Sequence, residues 1–225
     1  MHCPHLCVPL WPLMTIQKEI KNIIFDLGGV LCGLDADRCV RAFREIGAED
    51  IAFYVEEHRV EDLFLKTELG EMTTAEFCDE VRRLTGRDLA SERIVWAWNE
   101  LLTGISEARR HRLLELRKHY RLFVLSNTND MHWSKCVNDF FPMSLDGGGH
   151  VGVDDYFEKA FLSYRMHLAK PSAEIFRRVL DESGLKANET LFIDDSEANC
   201  EAASRLGIHT YYNRVINDWT EEVES

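Results

Sequence analysis

Hydrophobic and polar positions divide the chain into stretches of different period. From Lys21 an apolar run, Ile23-Ile24-Phe25, leads into Asp26 and on through Gly28-Gly29 to Val30-Leu31. A continuous apolar run bounded by turn residues is the pattern of a strand buried on both faces, so residues 21–31 are predicted to form the first strand. From about residue 35 to 102 the period changes. Ala36, Cys39, Val40, Phe43 and Ile46 recur at helical spacing and stop at Gly47, which predicts an amphipathic helix with a glycine past its end. A second helix is predicted over 50–66. Thr73 or Thr74 opens a third, which carries Phe77, Val81 and Leu84 on one side and reaches Thr85-Gly86. Ser91 opens a fourth, striped by Ile94, Val95, Trp98, Leu101 and Leu102. Serine and threonine suit these starts because their hydroxyls accept from an otherwise unpaired backbone N–H.

Beyond residue 103 the two periods alternate. Helices are predicted over 107–119, 131–140 and 173–183 and again from Ser196. Strands are predicted at 121–125, 157–162, 191–193 and 209–212, and 146–152 reads as a glycine-rich loop. Strands alternating with helices call for a parallel sheet with right-handed crossovers. The fold class is therefore α/β: a Rossmann-like parallel-sheet core formed by residues 14–34 and 103–225, with an inserted four-helix cap at 35–102. Residues 1–13 hold three prolines, two histidines and two cysteines but no lysine or arginine. A signal peptide wants a basic start and a longer apolar run, so Met14 is the expected start and 1–13 a poorly ordered extension. His2, Cys3, His5 and Cys7 are soft-metal ligand types, but a disordered extension is the simpler reading.

Composition narrows the partners. At 45% hydrophobic the chain can build a full core, while its formal net charge is -13. An acidic surface repels nucleic acid and anionic membranes, and no apolar run approaches a membrane span. Phosphate esters are repelled too, so a site for them must carry its own positive charge. The seven cysteines are dispersed, odd in number and without a CxxC pair, which fits a reduced, cytoplasmic protein.

Four polar clusters fall at predicted strand or helix ends: Asp26, Ser126-Asn127, Lys170-Pro171 and Asp194-Asp195. In an open parallel sheet such ends can converge on one face. Each cluster alone has a plain structural reading as a turn, a loop or a helix start. Two adjacent carboxylates repel, however, and a bound cation would relieve that.

With these four in order, the chain resembles the haloacid dehalogenase-like hydrolases, a superfamily made mostly of phosphatases. The resemblance runs from about residue 20 to 214. It rests on Phe25-Asp26-Leu27-Gly28-Gly29-Val30-Leu31, Leu125-Ser126-Asn127-Thr128, Lys170-Pro171, and Phe192-Ile193-Asp194-Asp195-Ser196 through Asn199. It implies a magnesium-dependent phosphoric monoester hydrolase acting on a small phosphorylated metabolite through an aspartyl-phosphate at Asp26. A carboxylate nucleophile splits one hard step into two easier ones. In the roles the family implies, Ser126 and Asn127 hold the phosphoryl group and Lys170 neutralises its charge. Asp26, Asp195 and the carbonyl of Gly28 bind the metal, while Asp194 and Asn199 support them.

One position departs from the pattern. The family's phosphatases carry a second aspartate two residues after the nucleophile, which protonates the leaving group and later activates water. Here that residue is Gly28. General acid–base help is worth about 10²–10⁴-fold, or roughly 3–5 kcal/mol of barrier. The sequence therefore leaves three readings: a phosphatase suited to good leaving groups, a haloacid dehalogenase-type hydrolase, or a non-catalytic ligand-binding member of the fold. The dehalogenase reading would use Arg38 or Arg41 for a substrate carboxylate, although the family's dehalogenases carry a bulky aromatic where Gly28 stands. In the cap, Glu71, Trp96, Trp98 and Asn99 are the residues to watch, with His132 and Trp133 after the Ser126 loop.

Overall fold

The structure of the chain, a computed structural model, describes residues 14–15, 19–56, 63–145, 148–214 and 219–224. The predicted N-terminal extension, with His2, Cys3, His5 and Cys7, lies outside the described residues. Five parallel strands form the central sheet: β1 (Asn22–Phe25), β2 (Arg121–Ser126), β3 (Lys159–Leu162), β4 (Thr190–Asp194) and β5 (His209–Tyr212). Their order across the sheet is β5-β4-β1-β2-β3. Chain order thus runs outward from β1 through β2 to β3, then crosses to β4 on the other side of β1. That reversal makes the C-terminal ends of β1 and β4 the place where an open sheet forms a crevice.

The unbroken apolar run of β1 follows from its central position. Ile23 and Phe25 enter one buried cluster, with Val124, Phe157 and Trp219. Ile24 enters the other, with Phe123, Leu125, Phe176 and Phe192. A strand buried on both faces has no reason to alternate. It is shorter than its pattern predicts, however, and ends at Phe25. The amides of Leu31 and Cys32 both donate to the Leu27 carbonyl, at 2.9 and 2.7 Å, so residues 27–32 form a tight loop. Val30 and Leu31 stay fully buried because that loop folds back onto the core.

After this loop the chain leaves the sheet through Gly33–Leu34 and returns through Leu102–Gly104, two short strands paired antiparallel. Among the described residues between them lie five helical segments: α1 (Ala36–Glu45), α2 (Glu49–Glu56), α3 (Leu63–Glu68), α4 (Thr74–Thr85) and α5 (Ser91–Asn99). The helix expected over 50–66 corresponds to α2 and α3, on either side of residues 57–62, which are not described. Caps set the starts: the Asp35 side chain accepts from the Arg38 amide at 3.0 Å, and Thr73 and Glu76 form a reciprocal capping box on α4. The segments share an apolar cluster of Phe43, Phe64, Phe77, Val81, Ile94 and Trp98, joined by Met131 from the sheet side.

The remaining main helices are α6 (Glu107–Arg117), α7 (Asp130–Lys135), α8 (Ala173–Ser183) and α9 (Glu197–Ser204). A π-helical turn, Cys136–Phe140, continues α7. Within the stretch read as a glycine-rich loop, 146–152, His150–Val151 forms a short strand paired with Met143–Ser144 before it. No helix among the described residues is long and apolar enough to cross a membrane. Cys32, Cys39, Cys78, Cys136 and Cys200 are free and buried.

Candidate active site

Asp26 follows the last residue of β1 and is held in the sheet by its amide, which donates to the Ile193 carbonyl of β4 at 2.9 Å. Its Oδ1 accepts from the Leu27 amide at 2.7 Å and from Lys170 Nζ at 2.9 Å. Lys170 is 4% exposed and donates also to Asp194 Oδ2 at 2.6 Å. Asp194 spends its other oxygen on the Ser196 amide at 2.8 Å and the Asn199 side chain at 3.0 Å. The tips of β1 and β4 and the loop before α8 therefore share one buried ammonium.

A buried charge is tolerable only when paired and hydrogen-bonded, and this cluster meets that condition for Lys170 and Asp194. Burial opposes the Lys170 charge, but Asp26 and Asp194 together hold the ammonium above its ordinary range. Burial pushes the Asp26 carboxyl above the ordinary carboxylate range against the pull of Lys170. Burial and the neighbouring Asp194 raise Asp195 as well.

Asp26, Asp194 and Asp195 each bring an oxygen within 4.8 Å of the others. An all-oxygen, acidic donor set suits a hard divalent cation such as magnesium. Because Asp194 is already occupied by Lys170, Ser196 and Asn199, Asp26 and the more open Asp195 are the side chains left to hold one. The loop geometry brings Asp195 in: Gly29 has φ +72°, and a Cβ there would lie 2.0 Å from Asp195 Oδ2. Only glycine accepts both the backbone and the close approach. Gly28 lies half-buried in the same loop.

Ser126 is buried at the end of β2, and its hydroxyl makes a long bond, 3.4 Å, to the Asn127 carbonyl. Asn127 binds the backbone of Lys170 twice. Its Nδ2 donates to the Lys170 carbonyl at 2.9 Å, and its Oδ1 accepts from the Lys170 amide at 2.8 Å. It thereby fixes the lysine loop. Asp26, Lys170, Asp194, Asp195 and Asn199 are thus brought together, with Ser126 and Asn127 on the adjoining strand end.

The residues singled out around the cap sort differently. Trp98 is buried and stacks on Phe64, ring centroids 4.1 Å apart. Trp133 is buried in the sheet cluster. Trp96 and Asn99 line an open groove of about 500 Å³ with Glu92, Glu100 and Lys135, none of them part of the carboxylate–lysine cluster. Glu71 and Arg41 are exposed. Arg38 is tied to Glu100, its Nε donating at 3.2 Å. His132 is buried under Trp98, centroids 4.7 Å apart. Its Nε2 donates to the Trp98 carbonyl at 3.2 Å, so Nδ1 is the acceptor for Asn129 Nδ2 at 3.3 Å. Burial pushes this histidine down to about 4, which keeps it neutral.

Several supporting residues escaped the sequence reading. Asn213 donates to the Gly29 carbonyl, and its amide donates to the Asp194 carbonyl, both at 2.9 Å. Ser163 Oγ accepts from the Thr128 amide and donates to the Thr128 carbonyl, both at 3.0 Å. Trp219 donates to the Val30 carbonyl at 2.9 Å and packs on Phe25. Glu68 ends α3 within electrostatic range of Asp26 and Lys170. Burial and then the Asp26 charge push its carboxyl up to about 7. A glutamate at the end of a helix carries no sequence signal of its own.

Comparison with known proteins agrees with this geometry. The family model for haloacid dehalogenase-like hydrolases matches residues 20–207. A D-ribitol-5-phosphate phosphatase of Bacteroides thetaiotaomicron is 34% identical over 206 residues, 91% of this chain and 97% of that protein. The crystal structure of a haloacid dehalogenase (HAD) family enzyme from the same organism, in complex with magnesium, superposes with a TM-score of 0.83. It is 43% identical and covers 90% of this chain and 97% of its own. A HAD-like hydrolase from Porphyromonas gingivalis gives a TM-score of 0.78 at 37% identity, over 89% and 94% of the two chains. Haloacid dehalogenases align at 18–19% identity with TM-scores of 0.54–0.58 and share the fold.

Proposed function

The chain belongs to the haloacid dehalogenase-like hydrolases, and we propose that it is a magnesium-dependent phosphatase of small phosphorylated metabolites with Asp26 as its nucleophile. The observation that carries this reading is the buried Lys170, bridging Asp26 and Asp194 at the sheet's switch point with Asp195 open beside them. In this reading the Asp26 carboxylate attacks phosphorus as the bond to the leaving oxygen breaks. Water then cleaves the resulting aspartyl-phosphate to phosphate and free Asp26. Lys170 supplies fixed positive charge where the transferring oxygens become more negative, and Ser126 holds one of those oxygens. Asp194, Asn199 and Asn127 keep the ammonium aimed. Magnesium, held by Asp26, Asp195 and the Gly28 carbonyl, would neutralise phosphate charge and orient the ester; structures of one HAD family enzyme of B. thetaiotaomicron with magnesium, and with magnesium and inorganic phosphate, support the choice of metal.

Residues 35–102 act in this reading as a cap that closes over the crevice and excludes bulk water from the phosphoryl-enzyme. Similarity over nearly the whole of a D-ribitol-5-phosphate phosphatase makes an acyclic sugar-alcohol phosphate the first substrate to test. The dehalogenase reading is weakened because Arg38 is already committed to Glu100 and Arg41 is exposed. The test is phosphate release from D-ribitol 5-phosphate and acetyl phosphate with and without magnesium. Turnover should require the metal and fall by at least about 10³-fold in Asp26→Asn, the scale on which removing a catalytic group acts. Metal-independent halide release from chloroacetate, with no phosphate released, would overturn the proposal.

A further inference from the structure

Asn213 borders the proposed cation site, and its side chain is only half used. It follows the last residue of β5, whose Tyr212 pairs with Asp194 of β4. The Asn213 amide carries that ladder one step further and donates to the Asp194 carbonyl at 2.9 Å. The side chain reaches across to the loop after β1, where Nδ2 donates to the Gly29 carbonyl at 2.9 Å. Gly29 is also the residue against which Asp195 packs, since a Cβ there would lie 2.0 Å from Asp195 Oδ2. Asn213 is therefore bonded both to the residue before Asp195 and to the glycine that Asp195 touches, and it is itself only 4% exposed.

The Gly29 carbonyl fixes which way the Asn213 amide lies. Turned over, it would set oxygen against oxygen, so Nδ2 faces Gly29 and Oδ1 is the atom left over. That Oδ1 is buried and has no hydrogen-bond partner among the described residues. Buried acceptors in folded proteins nearly always have a donor. The charged groups of the site do not supply one. Ionised Asp26, Asp194 and Asp195 only accept, and Lys170 Nζ is spent on Asp26 and Asp194. A bound magnesium ion brings donors into such a site, because it keeps several of its waters when it binds protein. A neutral amide oxygen can take a hydrogen bond from one of them without adding to the repulsion among three carboxylates.

We propose that Asn213 is a positioning residue of the metal site: its Oδ1 accepts a hydrogen bond from a water carried by the magnesium ion that Asp26 and Asp195 hold. This rests on the magnesium-dependent reading and deepens it. Asn213 touches neither the substrate nor the ion and acts through that water. Its two donors tie the Gly29 loop to the end of β4, which fixes the spacing between the two carboxylates, and its acceptor orients the hydrated ion. The site is thereby set from three neighbouring strands, β1, β4 and β5.

Calorimetric titration of the full chain with magnesium chloride, without substrate, reads this role apart from turnover. Asn213→Ala should weaken magnesium binding ~10-fold or more, the scale on which outer partners of a metal site act. Trp219→Phe is the control. It removes a hydrogen bond to the Val30 carbonyl of the same loop but takes away no acceptor from the ion, and it should bind magnesium as tightly as the wild type. Equal weakening in both variants would make Asn213 a loop anchor alone and overturn the proposal, as would wild-type affinity in Asn213→Ala. A crystal structure of the wild-type protein with magnesium gives a second reading that does not depend on a variant folding. One water should bond both to the ion and to Asn213 Oδ1; an Oδ1 bonded elsewhere, or to a water apart from the ion, would overturn the proposal. If the wild-type protein binds no magnesium, the metal-dependent reading itself fails and this role falls with it, an outcome distinct from intact wild-type binding that Asn213→Ala leaves unchanged.

Discussion

The two ends of the crevice are built on different principles. On the sheet side, the oxygens of Asp194, the ammonium of Lys170 and the amide of Asn127 each have a defined partner, and the group is nearly sealed from water. On the cap side, the helices are held by apolar contact around Trp98. The first arrangement suits a charge that must stay in place through every cycle. The second suits a surface that, in the proposed function, must open to admit a substrate.

The comparison breaks first at Lys170. Lys170→Met leaves Asp26 and Asp194 buried without their shared cation. Removing one partner of a buried ion pair costs about 3–5 kcal/mol, so urea unfolding should show a loss on that scale, together with loss of phosphate release. A variant of unchanged stability would mean that the cluster is looser than its distances imply. Trp98→Ala tests the other side. Deleting a large buried aromatic costs about 3–5 kcal/mol, and hydrogen exchange should rise in α1, α4 and α5 while β1, β2 and β4 keep their protection. Uniform loss across both regions would make the cap and the sheet one cooperative unit and erase the distinction.

A smaller effect sharpens the boundary itself, where His132 joins the Ser126 loop to Trp98. Its pKa in the folded chain falls from 6.5 to about 4, so the unfolded chain binds the proton more readily. The stability contributed by keeping this ring neutral is complete above about 6.5 and is lost as pH falls toward 4. That loss amounts to about 3 kcal/mol at 1.36 kcal/mol per unit. His132→Gln should remove this part of the acid slope, measured as the difference between the two unfolding curves from pH 7 to 4. Parallel curves would show that the histidine is not held neutral.

How much of this was legible in the sequence depended on what each residue does. The strands of the sheet were legible because burial on both faces leaves unbroken apolar runs, and Asp26 and Asp194-Asp195 were legible because they follow such runs, whereas Lys170 stood out only through the family resemblance. The same signal failed at Val30 and Leu31, which are as buried as a strand but lie in a loop closed on the Leu27 carbonyl. Asn127 was found as a polar residue at a strand end, but its use on the Lys170 backbone depends on a contact 43 residues away. Asn213 and Trp219 act on the Gly29–Val30 loop across more than 180 residues, a distance that no local pattern records.

The central claim is that Asp26 takes up the phosphoryl group. Acid quenching during turnover of acetyl phosphate with magnesium, followed by borohydride reduction and peptide mass spectrometry, reads this directly, because an aspartyl-phosphate is reduced to homoserine. The account predicts homoserine at position 26, dependent on substrate and metal. Continued phosphate release with position 26 unmodified, or undiminished release by Asp26→Asn, would contradict it.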